Sequence, residues 1–338
     1  EIPKIDMIPK VKAWLQLFRA HSGMLEGMTT AFAAAMSIGS VFSPTVVVWG
    51  IWGLLAHYAG YGMNSYVDWA KGFDKEDSDK QHHPLNKGTL SKDEAKYGVI
   101  IMMLLSLFSG LALGDFSHRT IIAISAAVLS GTAYNFLGKY TSLKFIPVSL
   151  SYMFIFVVPY VSTGGDITPV FMLLSAYIFL QYAFAIAYSG EIKDIVKDEA
   201  NLMKTLGARV RDIANNMTIV KMPAGLLYAA YLSASAQIGI VTIVLLYQNS
   251  QAIAYPLLGI LGVYMIFQAD SIVKPGTFDR ESRVESMAKK ELSGLYMVYL
   301  AVIPIAGLQG YFAMVAVKQA YLLLVSKFIW GTWVTPQV

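Results

Sequence analysis

The 338-residue chain is 56% hydrophobic and only 14% charged, against about 25% charged in an ordinary soluble domain. That excludes a disordered chain and argues against a soluble globular enzyme, because there is too little polar surface to coat a core; the apolar side chains must face lipid or one another. Net charge is +4 and cysteine is absent, which excludes disulfides, thiolate zinc sites, iron–sulfur clusters and a cysteine nucleophile.

Residues 1–22 read as a mixed-charge, amphipathic cytoplasmic segment, with Ile8, Val11, Leu15 and Phe18 at helical spacing. They lack the charged-then-apolar-then-small order of a signal peptide, so the first span serves as the targeting signal. Apolar stretches long enough to span then follow at 23–42, 44–66, 97–114, 120–137, 145–162, 169–188, 222–246, 252–268 and 292–309. The fold expected is an all-α, polytopic membrane helical bundle of about nine transmembrane helices. Residues 23–310 form its main domain. The apolar run 311–338 has no assigned placement: a tenth span, a continuation of the ninth and an interfacial helix all remain open. Pro147, Pro159, Pro223, Pro256 and Pro304 lie in or at the ends of spans and suggest bent helices around a cavity. Nearly all of the 26 Lys and Arg residues fall in the N-terminal segment and in connections on one side, which places those connections in the cytoplasm of an integral cell-membrane protein. Lys289 and Lys290 are read there as a loop contact to anionic lipid.

Two acidic clusters fall at span ends on that side. The second span ends in Asn64-Ser-Tyr-Val-Asp68, and Gly72 lets the chain turn so that Asp74 returns toward the same volume. The sixth ends in Glu191-Ile-Lys-Asp194-Ile-Val-Lys-Asp198, where Asp194 and Asp198 are expected to stack on one helix face, with Glu191 able to join them. Clustered carboxylates repel unless something positive lies between them. Few side-chain oxygens per metal, with phosphate and water completing the shell, suits Mg2+. Lys71, Lys193, Lys197, Lys204 and Arg209 stand among the acids as phosphate partners. The pattern reads as a magnesium–diphosphate site at the mouth of an apolar bundle. No Walker-type phosphate loop, dinucleotide fingerprint or zincin motif occurs, and no nucleic-acid partner is expected.

At these residues the sequence resembles the UbiA superfamily of intramembrane aromatic prenyltransferases. Asn64, Asp68 and Asp74 are similar to its first motif, and Asp194 and Asp198 to its second. His83-Pro84-Leu85-Asn86-Lys87-Gly88 followed by Ser91, then Lys204-Thr205-Leu206, resemble the flanks of the two motifs. Tyr134-Asn135 and Leu143-Lys144 resemble the turn between the fourth and fifth spans. The resemblance implies a lipid-open cavity. It implies two Mg2+ ions bridging an isoprenyl diphosphate, one held by Asn64, Asp68 and Asp74 and the other by Asp194 and Asp198. Lys144 would neutralise the departing diphosphate. The allylic cation, shielded from water, would meet Tyr134 and, among further candidates, Tyr66, Tyr152, Tyr182 and Tyr188. Asn135 joins the implied substrate contacts. Arg19 either reaches an acceptor carboxylate or anchors at the headgroups.

Asp74 falls six residues after Asp68 rather than four, and Asp68-Trp-Ala-Lys-Gly-Phe-Asp74 resembles the menaquinone-type branch, which prenylates dihydroxynaphthoate. An aromatic quinone precursor is therefore the expected acceptor. Geranylgeranylglyceryl phosphate or another non-quinone acceptor is the alternative within the enzyme class, and an ion- or proton-coupled transporter the alternative outside it.

Overall fold

A computed structural model describes residues 7–74, 82–195, 200–213, 217–274, 276–278 and 280–333. Its helices are α1 (Met7–Leu17), α2 (Met24–Ile38), α3 (Pro44–Ala70), α4 (Lys92–Leu113), α5 (His118–Leu137), α6 (Phe145–Ser162) and α7 (Pro169–Phe184). These are followed by α8 (Glu191–Lys193), α9 (Leu202–Thr205), α10 (Ala224–Tyr247), α11 (Ala254–Val273), α12 (Arg280–Val298) and α13 (Ile303–Trp330). Seven helical runs among the described residues are long and apolar enough to cross a membrane. The expected helical bundle is present, and that tally differs from the expected nine.

The chain divides into two compact units. The first comprises Glu1–Ser125, Val157–Gly165 and Phe312–Val338; the second comprises Ala126–Phe156 and Asp166–Tyr311. In the first, α2 and α3 close tightly through small residues. A Cβ on Gly53 would meet Thr30 Oγ1 at 2.2 Å and the Glu26 carbonyl oxygen at 2.6 Å, and Thr30 Oγ1 donates to the Trp49 carbonyl at 2.7 Å. Lipid gives no hydrophobic drive between helices, so close backbone approach supplies the attraction. Trp52 Nε1 donates to the Ser106 carbonyl at 2.9 Å and ties α3 to α4. Ala13 and Leu17 of α1 pack with Leu85, Leu90, Ala95 and Val99.

In the second unit, α7, α10 and α12 share a buried polar cluster. Lys290 Nζ donates to Gln181 Oε1 and Gln237 Oε1, each at 3.2 Å, and lies 4.0 Å from the centre of the Phe184 ring. Gln237 Nε2 donates to Gln181 Oε1 at 3.0 Å, and Tyr177 Oη to the Gly294 carbonyl at 2.6 Å. This corrects the expectation of a lipid-facing lysine loop: α12 already begins at Arg280, Lys290 is fully buried, and only Lys289 is exposed, paired with Glu285 at 2.6 Å. The helical spacing that hides Lys290 extends N-terminal to the apolar run, where composition alone sees a charged connection.

Two further elements depart from expectation. Strands β1 (Arg209–Ile213), β2 (Met217–Lys221) and β3 (Gly276–Phe278) form a small antiparallel sheet in the order β1-β2-β3. Its β-branched residues, among them Val210, Ile213, Thr218, Ile219 and Val220, favour extended backbone. Three of the five prolines sit at helix starts: Pro147 and Pro256 occupy the first turns of α6 and α11, and Pro223 precedes α10, where a missing N–H costs little. Pro159 lies inside α6 near its end, and Pro304 lies where a short 3-10 stretch, Tyr299–Val302, joins α12 to α13.

The C-terminal run takes a defined place. The 49 residues Ser282–Trp330 are almost continuously helical, which would extend about 73 Å, more than twice the roughly 30 Å hydrocarbon core. Gly307 breaks the run with a non-helical backbone (φ 64°, ψ −174°), and the residues after it form a further helix long enough to span. In the first unit Tyr321 Oη donates to the Ala20 carbonyl at 2.9 Å and shares a 2.7 Å hydrogen bond with Tyr58 Oη. Residues 312–330 are thus a helix packed on the N-terminal elements.

Candidate active site

The first acidic segment lies wholly in the first unit. Ser43 caps α3, its side chain accepting from Thr45 N at 3.2 Å, and Pro44 occupies the first turn. The 27-residue helix then reaches Asn64 and Asp68 in its last two turns and stops at Ala70. Gly72 takes φ 94°, a left-handed conformation that a side chain would oppose. The chain turns there, and Asp74 takes a buried position, as does Asp68. Asn64 is half-buried and Lys71 exposed.

The loop that follows is clipped to this helix end. Trp69 Nε1 donates to Asn86 Oδ1 at 3.0 Å, and Asn86 Nδ2 donates to the Asp74 carbonyl at 2.9 Å. His83 Nδ1 accepts from Leu85 N at 3.3 Å. Ser91 and Glu94 form a reciprocal capping box that starts α4. Within this frame Asp74 Oδ2 is buried and has no hydrogen-bond partner among the described residues. A carboxylate oxygen removed from water without a donor is costly unless a cation faces it. Asn64, Asp68 and Asp74 offer the hard oxygen donors that Mg2+ takes, so this donor set fits that ion. Among the described residues, no group of three or more His, Cys, Asp or Glu is arranged to hold a metal.

The second acidic segment lies in the second unit. A π-helical stretch, Ala185–Gly190, extends α7; such insertions accompany functional sites often. It delivers Glu191, whose carboxylate pairs with Lys144 Nζ at 2.7 Å, both side chains being nearly closed to solvent. Glu191 Oε2 also accepts from Leu202 N at 2.7 Å, and Asn201 Nδ2 donates to the Glu191 carbonyl at 2.7 Å. Asn201 Oδ1 in turn caps α9 at Lys204 N, 3.2 Å away. Glu191 therefore fastens the segment carrying Lys204-Thr205-Leu206 to the helix end, while Lys204 and Arg209 point outward, exposed. Tyr134 and Lys144 flank Gly138: a Cβ there would lie 3.3 Å from Tyr134 Cδ2 and 3.7 Å from Lys144 Cβ. Asn135 is buried nearby in sequence.

Helix α8 ends at Lys193, and Asp194 follows it with a non-helical backbone (φ −106°, ψ 15°); the expected stacking of Asp198 on Asp194 falls outside the described residues. Asp198 and Lys197 lie outside the described residues, as does the side chain of Lys193. Of the further ring candidates, Tyr152 and Tyr182 stack with centroids 3.6 Å apart, and Tyr188 Oη donates to the Leu226 carbonyl at 3.2 Å. Tyr66 packs against the buried cluster around Leu17 and Leu90.

One feature escaped sequence reasoning. Glu26 of α2 and His57 of α3 form a fully buried pair, Oε2 to Nδ1, at 2.7 Å. Two ionisable residues inside apolar spans were the available signal. Arg19, expected as an acceptor contact or a headgroup anchor, lies in the turn between α1 and α2. Its backbone is left-handed (φ 48°, ψ 44°), its carbonyl faces Ser22 Oγ at 2.9 Å and His57 Nε2 at 3.1 Å, and its guanidinium stands over the Tyr61 ring, 5.4 Å from the centre.

A family model for UbiA prenyltransferases matches residues 27–289, most of the chain and both acidic segments. The chain belongs to the UbiA prenyltransferase family. It is accordingly an integral membrane prenyltransferase, and the transporter reading gives way. A search of curated proteins finds no match. Among solved structures the prenyltransferase is similar to a UbiA homologue from Aeropyrum pernix K1, with TM-score 0.62 and 16% identity, covering 83% of this chain and 96% of that one. It is also similar to a UbiA homologue from Archaeoglobus fulgidus bound to GPP and Mg2+, with TM-score 0.59 and 14% identity over 90% and 99% of the two chains. A digeranylgeranylglyceryl phosphate synthase aligns with TM-score 0.58 and 14% identity over 91% and 99%. At these identities the likeness establishes the fold.

Proposed function

We propose that this prenyltransferase moves an isoprenyl group from a polyprenyl diphosphate to an aromatic quinone precursor within the membrane, with dihydroxynaphthoate as the acceptor. The observation that carries the diphosphate half is the buried Oδ2 of Asp74, without a hydrogen-bond partner among the described residues, in the turn clipped by Asn86 just after the helix that carries Asp68. Asn64, Asp68 and Asp74 hold one Mg2+, and Asp194 and Asp198 the other; Mg2+ supplies charge neutralisation for the diphosphate. Lys71, Lys193, Lys204 and Arg209 bind phosphate oxygens as they become available on the cytoplasmic side. Lys144, held by Glu191, keeps a buried positive charge for the leaving group. Tyr134 presents its ring face to the allylic cation, Asn135 lines the same turn, and the apolar helices keep water from quenching it. Arg19 receives the anionic group of the acceptor; its guanidinium stands over the Tyr61 ring, 5.4 Å from the centre. The acceptor ring carbon forms the new bond to C1 of the isoprenyl unit as the C1–O bond to diphosphate breaks, and the ring then loses a proton.

The likeness to a digeranylgeranylglyceryl phosphate synthase supports a second reading, with geranylgeranylglyceryl phosphate as acceptor and an oxygen as the attacking atom. One assay separates them. Purified protein is incubated with radiolabelled geranylgeranyl diphosphate, with and without Mg2+, and with dihydroxynaphthoate, hydroxybenzoate or geranylgeranylglyceryl phosphate. Mg2+-dependent labelling of dihydroxynaphthoate, lost in Asp68→Ala and Asp198→Ala, is expected. Labelling of geranylgeranylglyceryl phosphate alone would replace the quinone reading with the second one.

A further inference from the structure

The helix after Gly307 lies beyond the residues that the family model matches, and it grips the turn that aims Arg19. Tyr321 Oη donates to the carbonyl of Ala20, the residue directly after Arg19. Its oxygen also meets Tyr58 Oη at 2.7 Å, beside the His57 that faces the Arg19 carbonyl. One end further along, Trp330 Nε1 donates to His21 Nδ1 at 3.5 Å, and the two rings meet edge to face at 5.9 Å. The same indole stands edge to face with His82, at 5.3 Å, in the loop that follows the first acidic segment. Lys12 of α1 lies 5.2 Å from the centre of the Phe328 ring. The Arg19 backbone is in a conformation that only over-determined surroundings hold for a residue with a Cβ. Tyr321 and Trp330 supply part of that over-determination from a helix more than 300 residues away in sequence.

We propose that Tyr321 and Trp330 are positioning residues that orient Arg19 toward the anionic group of the acceptor, making the C-terminal helix a specificity element of the enzyme. This rests on the reading of Arg19 as the acceptor-anion contact. A tyrosine hydroxyl pinning a backbone carbonyl acts on geometry and not on charge, so its loss loosens recognition of the anion while leaving the donor side intact.

The test compares wild type, Arg19→Gln, Tyr321→Phe and Trp330→Phe in the 338-residue chain. Acceptors are run in matched pairs with and without the anionic group: 1,4-dihydroxy-2-naphthoate against 1,4-dihydroxynaphthalene, and geranylgeranylglyceryl phosphate against geranylgeranylglycerol. KM is read for acceptor and donor separately. Tyr321→Phe is expected to raise KM for the anionic acceptor about tenfold, the scale of one hydrogen bond of about 1.4 kcal/mol, with donor KM and the KM of the uncharged analogue unchanged. Trp330→Phe shifts KM in the same direction by a smaller factor. If Arg19→Gln raises KM for the anionic acceptor and Tyr321→Phe does not, the positioning role is overturned while the Arg19 reading stands. If Arg19→Gln leaves both members of a pair alike, the Arg19 reading itself fails and the positioning role with it. An equal rise for both members, or for donor as well as acceptor, makes Tyr321 a general structural contact and also overturns the proposal. Should Trp330→Phe fail to fold, Tyr321→Phe decides.

Discussion

Lys144 and Glu191 form the buried contact on which the proposed leaving-group role of Lys144 depends. Their 2.7 Å pair is almost closed to solvent, and removing one partner of such a pair strands a charge at a cost of about 3–5 kcal/mol. Glu191→Gln should therefore lower the thermal midpoint in detergent strongly, and Glu191→Gln with Lys144→Met should recover most of the loss while activity stays absent. A double variant no more stable than Glu191→Gln would contradict the pairing. His21 supplies a second residue-scale expectation. Burial, then His57 and Arg19, push its pKa down from 6.5 to about 3, and its Nδ1 accepts from Trp330, so the folded protein keeps the ring neutral. The unfolded chain binds a proton between these values and the folded one does not, so stability is full above pH 6.5 and falls as pH drops toward 3. His21→Gln should flatten that part of a pH-against-melting profile; an unchanged profile would contradict it.

At the scale of elements, the α2–α3 hairpin depends on glycine where the backbones meet. Gly53→Ala places a methyl group 2.6 Å from the Glu26 carbonyl oxygen, a backbone atom that cannot move aside. The expected cost is of order 1–3 kcal/mol, read as a lowered melting temperature, whereas Gly60→Ala on the same helix, with nothing within 4 Å of its Cβ, should be tolerated. The spans themselves, the turn at Gly72 and the capping box at Ser91 are legible in the sequence because each depends on neighbours a few residues apart. The burial of Lys290 is not, because Gln181 and Gln237, which accept from it, stand on other helices. Nor is the partner of the C-terminal run: Tyr321 looks like one more aromatic residue in an apolar stretch until Ala20 and Tyr58 appear beside it. The end of the sixth span is hidden for a related reason: the π-helical stretch Ala185–Gly190, the helix end at Lys193 and the hydrogen bond from Asn201 to the Glu191 carbonyl leave no mark in the periodicity of the span.

At the scale of the whole molecule, the two acidic segments fall in different compact units, Asp68 and Asp74 in the first and Glu191 and Asp194 in the second. Family membership accounts for why one apolar chain carries both. Asp74 is proposed to be a metal-binding carboxylate rather than a buried structural one. The measurement that tests it most directly is the Mg2+ dependence of diphosphate release from geranylgeranyl diphosphate, in wild type and Asp74→Asn, with the melting temperature of each recorded at every Mg2+ concentration. Asp74→Asn is expected to fold, since it relieves a buried charge, and to need at least about tenfold more Mg2+ for half-maximal release, the scale of one lost charged ligand. An Asp74→Asn enzyme with the wild-type Mg2+ requirement would contradict it.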